Sequence, residues 1–375
     1  MPIRLFLIVL LSLALIFHNC FSQNFLKGKL VEQNTLAVVP YANLSLGGSG
    51  TASLDDGSFL LKVDDADRNS NLIISCIGYY SQKLSVDSLL GLEHNALVIL
   101  MDQNVLPLEE VNVQTQKSTA RDIVKEAIDA IPQNYSQQPF NMEFYSRVSE
   151  NDGVTSWFLM EAIVKSYRKG YFEGALNRSS IIHQRTSGKP TLTRFDKKKK
   201  IDYFLYESVP MFDVFVVDMI GVGSRLKYTI FNENYFKKVD FKLTGISTFE
   251  GGHVFMIEYG KGEAIDGDLE VFNGRLFIAT DDLGILKHER RIGKNYHEVI
   301  YKKNHGKYFP YFIKSIYPER KEGNTYRMSI THESLITKVV TEKVEDVPNG
   351  LLMDWHLTDT PYVQSFWDAN YPLKN

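Results

Sequence analysis

Hydrophobic and polar positions in the first hundred residues follow the period of two that marks half-buried strands. In Pro40–Leu46, Tyr41, Asn43 and Ser45 fall on one side and Ala42, Leu44 and Leu46 on the other. Phe59 and Leu61 alternate with polar Ser58 just after Asp55-Asp56-Gly57. Glycine accepts positive φ and aspartate bonds its own backbone, so Gly50 to Leu61 reads as strand, tight turn, strand. Leu26–Val31, Leu72–Ile77, Gln82–Val86 and Ala96–Leu100 supply further short strands. The Leu72 run is almost continuously apolar, as expected in the centre of a sandwich, and Gly78-Tyr79-Tyr80 bends the chain after it. Short strands separated by turn signals predict a β-sandwich over residues 23–104.

The rhythm changes twice more. Residues 105–117 read as a linker: Pro107 breaks the preceding strand, and Val111-Asn112-Val113 could form a short edge strand. Thr119 with Asp122 has the pattern of a capping box, Ser118 being the alternative cap. Ile123, Ala127 and Ile131, flanked by Val124 and Ile128, then recur at helical spacing until Pro132. From Phe140 onward long strands dominate: Met142–Val148, Ser156–Val164, Lys165–Tyr171, Val254–Tyr259 and Glu270–Ala279. After the turn Asp281-Asp282-Leu283-Gly284, the meander continues through Ile285–Arg291, Tyr296–Tyr301, Phe312–Tyr317, Tyr326–His332 and Ile336–Val344. A helix followed by many antiparallel strands predicts one α+β domain over 118–375, with its sheet curling over the helix.

The fold class is therefore mainly β: a seven-stranded-type β-sandwich followed by an α+β domain with a large curved antiparallel sheet packed on a helix. The first 22 residues read differently. Arg4 is a short positive segment, Leu5–Phe17 is apolar, and Cys20-Phe21-Ser22 offers small residues for cleavage before Gln23. That is the pattern of an export signal, and the run is short for a bilayer span. Cys20 follows Phe17-His18-Asn19 rather than small residues, which argues against lipidation. Cys76 then remains alone in an apolar strand, where cysteine acts as a small hydrophobe. With 42 basic against 45 acidic residues, bulk charge favours neither nucleic acid nor an anionic surface. Lys197-Lys198-Lys199-Lys200, bracketed by Asp196 and Asp202, reads as a solvated loop or hairpin tip, the alternative being a contact to lipid head groups or an acidic partner. Met211–Val222 is interrupted by Asp213 and Asp218 and does not read as a membrane span.

Gly28, Pro40-x-Ala42-Asn43-x-x-Leu46, Gly50-Thr51, Asp56-Gly57-x-Phe59 and Ile77-Gly78-Tyr79 occur in the order found in the carboxypeptidase regulatory-like domain, which this segment resembles. The resemblance implies a transthyretin-like sandwich at the N-terminus of a bacterial envelope protein. Leu108-Glu109-Glu110-Val111-Asn112-Val113 is similar to a segment that follows that domain. Farther on, Asn134-Tyr135, Phe144-Tyr145-Ser146-Arg147 and Phe272-x-Gly274-Arg275-Leu276-Phe277-Ile278-Ala279-x-Asp281-x-x-x-Ile285 resemble lipoprotein-localisation-like half-barrels. Some members of that group shelter an acyl chain.

Catalytic spacing is missing. A zinc carboxypeptidase needs His-x-x-Glu and a distant histidine, and no histidine here has Glu three residues later. His-Glu-x-x-His and Gly-x-Ser-x-Gly are absent as well. His288-Glu289, His297-Glu298 and His332-Glu333 are adjacent pairs, and neighbours on a strand point to opposite faces. His288, His297, Asp281 and Glu298 are expected as cross-strand polar pairs at the surface. A cleft gathering two or more of His253, His288, His297 and His305 would favour an enzyme. Gly221-Val222-Gly223-Ser224 lacks the context of a phosphate loop, and Asp55-Asp56-Gly57 and Asp266-Gly267-Asp268 read as turns before calcium sites. Asp87-Ser88-Leu89 is the type of tripeptide some bacterial exporters O-glycosylate. An aromatic series remains: Tyr203-Phe204-x-Tyr206, Tyr228, Phe231, Tyr235-Phe236, Tyr308-Phe309-x-Tyr311-Phe312 and Phe366-Trp367. Most of it belongs to the core, and the rest could line a groove.

The chain is thus expected to be an exported, non-catalytic binding or scaffolding protein of the bacterial envelope, in the periplasm or at the outer membrane. No catalytic, cofactor or metal residue is assigned, and the expected partner is a lipid, a glycan or an envelope protein, not nucleic acid. The alternatives are an accessory of a TonB-dependent-type transport system, whose large barrel would need more residues than remain, and an enzyme of unrecognised type in the C-terminal domain.

Overall fold

The computed structural model describes residues 24–47, 49–54, 56–92, 97–106, 119–151, 156–171, 177–187, 193–196, 201–204, 218, 220, 229–260, 272–318, 320–322, 325–327, 329–347 and 367. The export signal with Cys20, Asp55, residues 107–118, Lys197–Lys200, Gly221–Ser224 and Asp266–Asp268 lie outside the described residues, as does most of Met211–Val222.

Seven strands build the first body: β1 Asn24–Glu32, β2 Asn43–Leu46, β3 Ser49–Ala52, β4 Ser58–Val63, β5 Asn71–Ser75, β6 Gln82–Ser85 and β7 Leu97–Met101, with a short helix α1 at Val86–Leu90. They form two sheets, ordered β4-β1-β7 and β3-β2-β5-β6. Between the sheets Ala42, Leu44, Leu46, Phe59, Leu61, Leu72 and Ile74 are buried, as the alternation requires.

The turn at Gly57 corrects one sequence expectation. Gly57 does adopt φ +77°, and a Cβ there would meet the Leu30 carbonyl oxygen at 2.5 Å. Leu54 N–H donates to Ser58 O (2.7 Å), closing the turn. Yet β3 pairs with β2, and β4 with β1. The turn carries the chain from one sheet to the other, so it is not a hairpin. Leu72–Ile77 also differs. It alternates, with Ile73 44% exposed, because only one face of its sheet meets the sandwich core.

The second body opens with β8 Val105–Leu106 and the helices α2 Ala120–Asp129 and α3 Ile131–Asn134. Thr119 and Asp122 form the reciprocal cap, and Pro132 sits in the first turn of α3 rather than simply ending α2. There follow β9 Phe140–Asn151, β10 Ser156–Arg168, β11 Asn177–Ser187, β12 Thr193–Asp196, β13 Ile201–Phe204, helix α4 Glu233–Phe236, β14 Asp240–Phe249, β15 Gly252–Gly260, β16 Phe272–Ala279, β17 Ile285–Ile292, β18 Asn295–Asn304, β19 Lys307–Tyr317, β20 Arg320–Glu322, β21 Thr325–Arg327 and β22 Ser329–Val340. Ser156–Val164 and Lys165–Tyr171, expected as two strands, are the single strand β10, since no turn residue separates them.

Eleven strands join in the order β11-β10-β9-β22-β19-β18-β17-β16-β15-β14-β8. The last long strand, β22, inserts between β9 and β19 and so welds the β9–β11 meander to the β14–β19 meander. Bulges, at Leu243/Gly245, Phe277/Ile278 and Ile300/Tyr301 among others, add local twist and bend the sheet. One face carries the helices. Ile123, Val124 and Ala127 of α2 enter a core with Phe140, Phe144, Leu276, Val299 and Phe309. Arg121 ties α2 to α4 by donating to Phe236 O (2.9 Å) and Val239 O (2.5 Å).

The sandwich packs on the opposite face. Tyr41 stacks on Phe312 with ring centroids 4.8 Å apart, and Ala52 joins Ile300 and Phe312. Tyr311 donates to Thr51 O (3.0 Å), and Asn43 Nδ2 donates to Glu250 (3.3 Å).

Candidate functional site

The three His-Glu pairs separate as strand geometry requires. In the sheet register Arg290, His297, Ser315, His332, Val148 and Met160 form one row across β17, β18, β19, β22, β9 and β10. A parallel row holds His288, Val299, Ile313, Ser334, Ser146 and Ala162. Val148, Met160, Val299 and Ile313 belong to the helix-side core, so both rows lie on the helix-bearing face.

His288, His297 and His332 are buried there, and Glu298 is buried on the other face, so the surface pairing expected of His288, His297 and Glu298 is corrected. Tyr259 Oη lies 2.7 Å from His288 Nε2, and Phe231 covers the His288 ring edge-on. His297 Nδ1 is 3.1 Å from Ser315 Oγ. His332 Nε2 meets Ser146 Oγ at 2.9 Å and Ser334 Oγ at 3.1 Å, while its Nδ1 has no hydrogen-bond partner among the described residues. Burial lowers all three imidazoles to about 3, and the Arg290 charge adds to the effect at His288 and His297. They are therefore neutral at physiological pH.

The opposite face carries the charges. Arg275, Glu289, Glu298, Lys314, Glu333, Arg147, Glu161 and Arg185 follow one another across eight strands. Lys287 reaches Glu289 at 2.8 Å and Glu298 at 2.7 Å, and Arg275 reaches Glu289 at 2.6 Å. Burial alone would lower the Lys287 pKa, but Glu298 and Glu289 outweigh it and raise it. Glu289 responds in the mirror sense: Lys287 and Arg275 overcome its burial and hold it below the usual carboxylate range. Trp367 covers the Arg185 end, with the guanidinium 4.5 Å from its ring centre.

Back on the helix side, a third group closes one end of the core. Asp218, fully buried, pairs with Arg168 and accepts from Tyr301 Oη at 2.5 Å. Arg168 lies 4.1 Å over the Tyr171 ring, and Tyr135 Oη donates to Ile285 O (2.7 Å). Sequence reasoning treated Asp218 only as an interruption of an apolar run. Its partner lies 50 residues away, and no local signal links them. Nor were Arg290, Ser315 and Ser334 singled out, and Ser146 was named only within the Phe144–Arg147 motif. The signal that could have found their face is the His-Glu dipeptide repeated on three strands.

These contacts do not assemble a catalytic group. Ser146, Ser315 and Ser334 are wholly buried, and the neighbouring glutamates Glu298 and Glu333 face the other way, so among the described residues no carboxylate orients His297 or His332 as a serine nucleophile would need. Among the described residues no group of three His, Cys, Asp or Glu could hold a metal. Of the other residues named from sequence, His253 and His305 are exposed, and Asp281 sits in the β16–β17 turn. Cys76 is half-buried, and burial pushes its thiol up to about 11, which leaves it protonated and unreactive. In the aromatic series, Tyr235, Phe236, Tyr308, Phe309, Phe312 and Trp367 are buried, whereas Tyr206, Tyr228 and Phe366 lie outside the described residues.

No protein-family model matches the chain, and no curated protein does. Solved structures with some likeness include a DUF1329 family protein from Desulfovibrio piger (11% identity, TM-score 0.31, covering 60% of this chain and 93% of that one). A LolA superfamily protein from Nitrosomonas europaea aligns at 12% identity and TM-score 0.29, over 62% and 96% of the two chains. An outer membrane lipoprotein-sorting protein domain from Vibrio parahaemolyticus gives 12%, 0.29, 60% and 93%. At these TM-scores the alignments do not fix the fold of this chain, which rests on its own topology. Among the described residues no helix is long and apolar enough to cross a membrane.

Proposed function

We propose that this chain is an exported, non-catalytic binding protein of the bacterial cell envelope. Residues 1–22 are its export signal, residues 23–104 a carboxypeptidase regulatory-like module, and 118–375 the binding domain. Its ligand is a lipid, glycan or peptide taken on the helix-bearing face of the large sheet. One observation carries this reading. In the midst of a largely apolar core, the row from Arg290 through His297, Ser315 and His332 runs into Val148 and Met160, and the fully buried His332 Nδ1 lacks a partner among the described residues. Leaving a buried polar atom unpaired costs about 1–3 kcal/mol. A ligand group that bonds this nitrogen would relieve that cost, while the aliphatic end of the row packs against an apolar portion.

Native mass spectrometry of protein purified from its envelope fraction without detergent tests the reading. A retained small molecule, released by organic extraction and depleted in His332→Phe, is the expected result. A bare polypeptide mass, together with no thermal shift from a panel of fatty acids, oligosaccharides and peptides, would overturn it. Hydrolysis of an ester or peptide panel, lost on a single histidine substitution, would overturn the non-catalytic part.

A further inference from the structure

We infer that the outward face of the β4-β1-β7 sheet docks on an anionic lipid bilayer. This inference stands apart from the ligand reading and uses none of its residues. Strand parity and register place Phe25, Lys27, Lys29 and Val31 of β1 on one face, beside Ser58, Leu60 and Lys62 of β4 and Val98 and Leu100 of β7. Val38 bridges to Val31 at the same margin. The inward residues of these strands, Leu26, Leu30, Phe59, Leu61, Ile99 and Met101, fill the sandwich core.

The two outer faces of the sandwich have different fates. That of β2 and β3 is covered by the large sheet through Tyr41, Asn43 and Ala52. That of β4-β1-β7 leaves Val98 65% exposed, Leu100 43% and Val38 39%. Three lysines lie among these aliphatic side chains, and no outward position on the three strands holds a carboxylate. Glu32, at the end of β1, is buried and bonded to Thr35 (2.8 Å). Asp56, Asp64, Asp65 and Asp102 lie beyond the strand ends.

Lysine stems can lie along aliphatic surface while their ammonium groups reach phosphate, so this mixture matches an interface that is anionic above and apolar beneath. The chain as a whole is slightly acidic, with net charge −3. Its bulk field therefore does not draw it to such a surface, and the local patch would set both attraction and orientation. A partner strand added at the β7 edge fits less well. Gln82 already donates to Leu100 O, Tyr80 N–H donates to Asp102 O (2.9 Å), and Asn104 N–H donates to Gly78 O (2.7 Å). Little open ladder is left there, so recognition falls to side chains.

Co-sedimentation of the purified full chain with vesicles of phosphatidylcholine, with and without phosphatidylglycerol, tests this. Binding only to the phosphatidylglycerol vesicles, weakening as salt rises, is expected. The triple variant Lys27→Gln, Lys29→Gln, Lys62→Gln should lose binding, by about fivefold for each lysine. The variant Val98→Ser, Leu100→Ser should bind more weakly with its salt dependence unchanged. Lys27, Val98 and Leu100 are exposed and Lys29 and Lys62 half-buried, and unchanged thermal melting would show that both variants fold. Equal binding to both vesicle types, wild-type binding by the triple variant, loss of binding only when Lys197–Lys200 are changed, or retention on immobilised poly-glutamate in place of vesicles would each overturn the proposal.

Discussion

The two faces of the large sheet bury the two halves of its His-Glu pairs by opposite means. His288-Glu289, His297-Glu298 and His332-Glu333 each send a histidine to the helix side and a glutamate to the sandwich side. On the helix side the three histidines are kept neutral: imidazoles meet hydroxyls amid apolar contacts, and the buried charges on that side, among the described residues, are Arg290 and the Arg168–Asp218 pair at one end. The sandwich side keeps charges and balances them, with Lys287 held between Glu289 and Glu298. A buried ion costs several kcal/mol and must be paired, whereas a hydroxyl costs about 1–3 kcal/mol and needs one good contact. The first arrangement is sensitive to mild acid, the second to loss of one partner.

Mild acid should give the largest separation between the faces. Each of the three imidazoles has a folded pKa of about 3 against an ordinary 6.5, so between these values the unfolded chain binds more protons. Their contribution is fully present above pH 6.5 and falls as the pH drops toward 3, by about 1.4 kcal/mol per unit for each histidine. Going from about pH 7 to about pH 5 should therefore remove about 2 kcal/mol per histidine, seen as a falling urea midpoint. Glu289, held below its ordinary 4.5, adds stability that is present above that value and lost only below it. The charged face should thus stay silent across the same window. A flat midpoint between pH 7 and 5, or a slope unchanged in His297→Gln, His332→Gln, would break the comparison.

Next in size is Lys287→Met. It leaves Glu298, 1% exposed, and Glu289 without their shared cation, and should cost about 3–5 kcal/mol in chemical denaturation. Adding Glu298→Gln should recover part of the loss. If the single variant costs under about 1 kcal/mol, the charges are solvated like surface pairs. The smallest expected effect is Ser334→Ala, which leaves His332 Nε2 with Ser146 alone and should cost about 1 kcal/mol. A larger loss there than for Lys287→Met would reverse the ranking of the two faces.

Several features of the fold were legible because they depend on a few neighbouring residues. The Thr119–Asp122 cap, the positive φ of Gly57 and the inward set Ala42, Leu44 and Leu46 all appear as expected. The divergence of β3 and β4 was not legible, since the same turn serves a hairpin and a crossing between sheets. The candidate site was half legible. Adjacent His and Glu had to separate, but which face would be sealed could not be known.

By itself, the sequence determined which side chains share a face, where the chain turns, and that no zinc-peptidase or hydrolase spacing is present. Those properties follow from strand parity and turn chemistry, which act over two to four residues. Only the tertiary structure decided what each face meets. Helix α2 and the segment around Phe231 seal one side, and Tyr41, Asn43 and Ala52 of the sandwich close on the other. Burial is set by packing between segments far apart in the chain. The same histidines that local pattern assigns to a surface therefore end as neutral groups in the core.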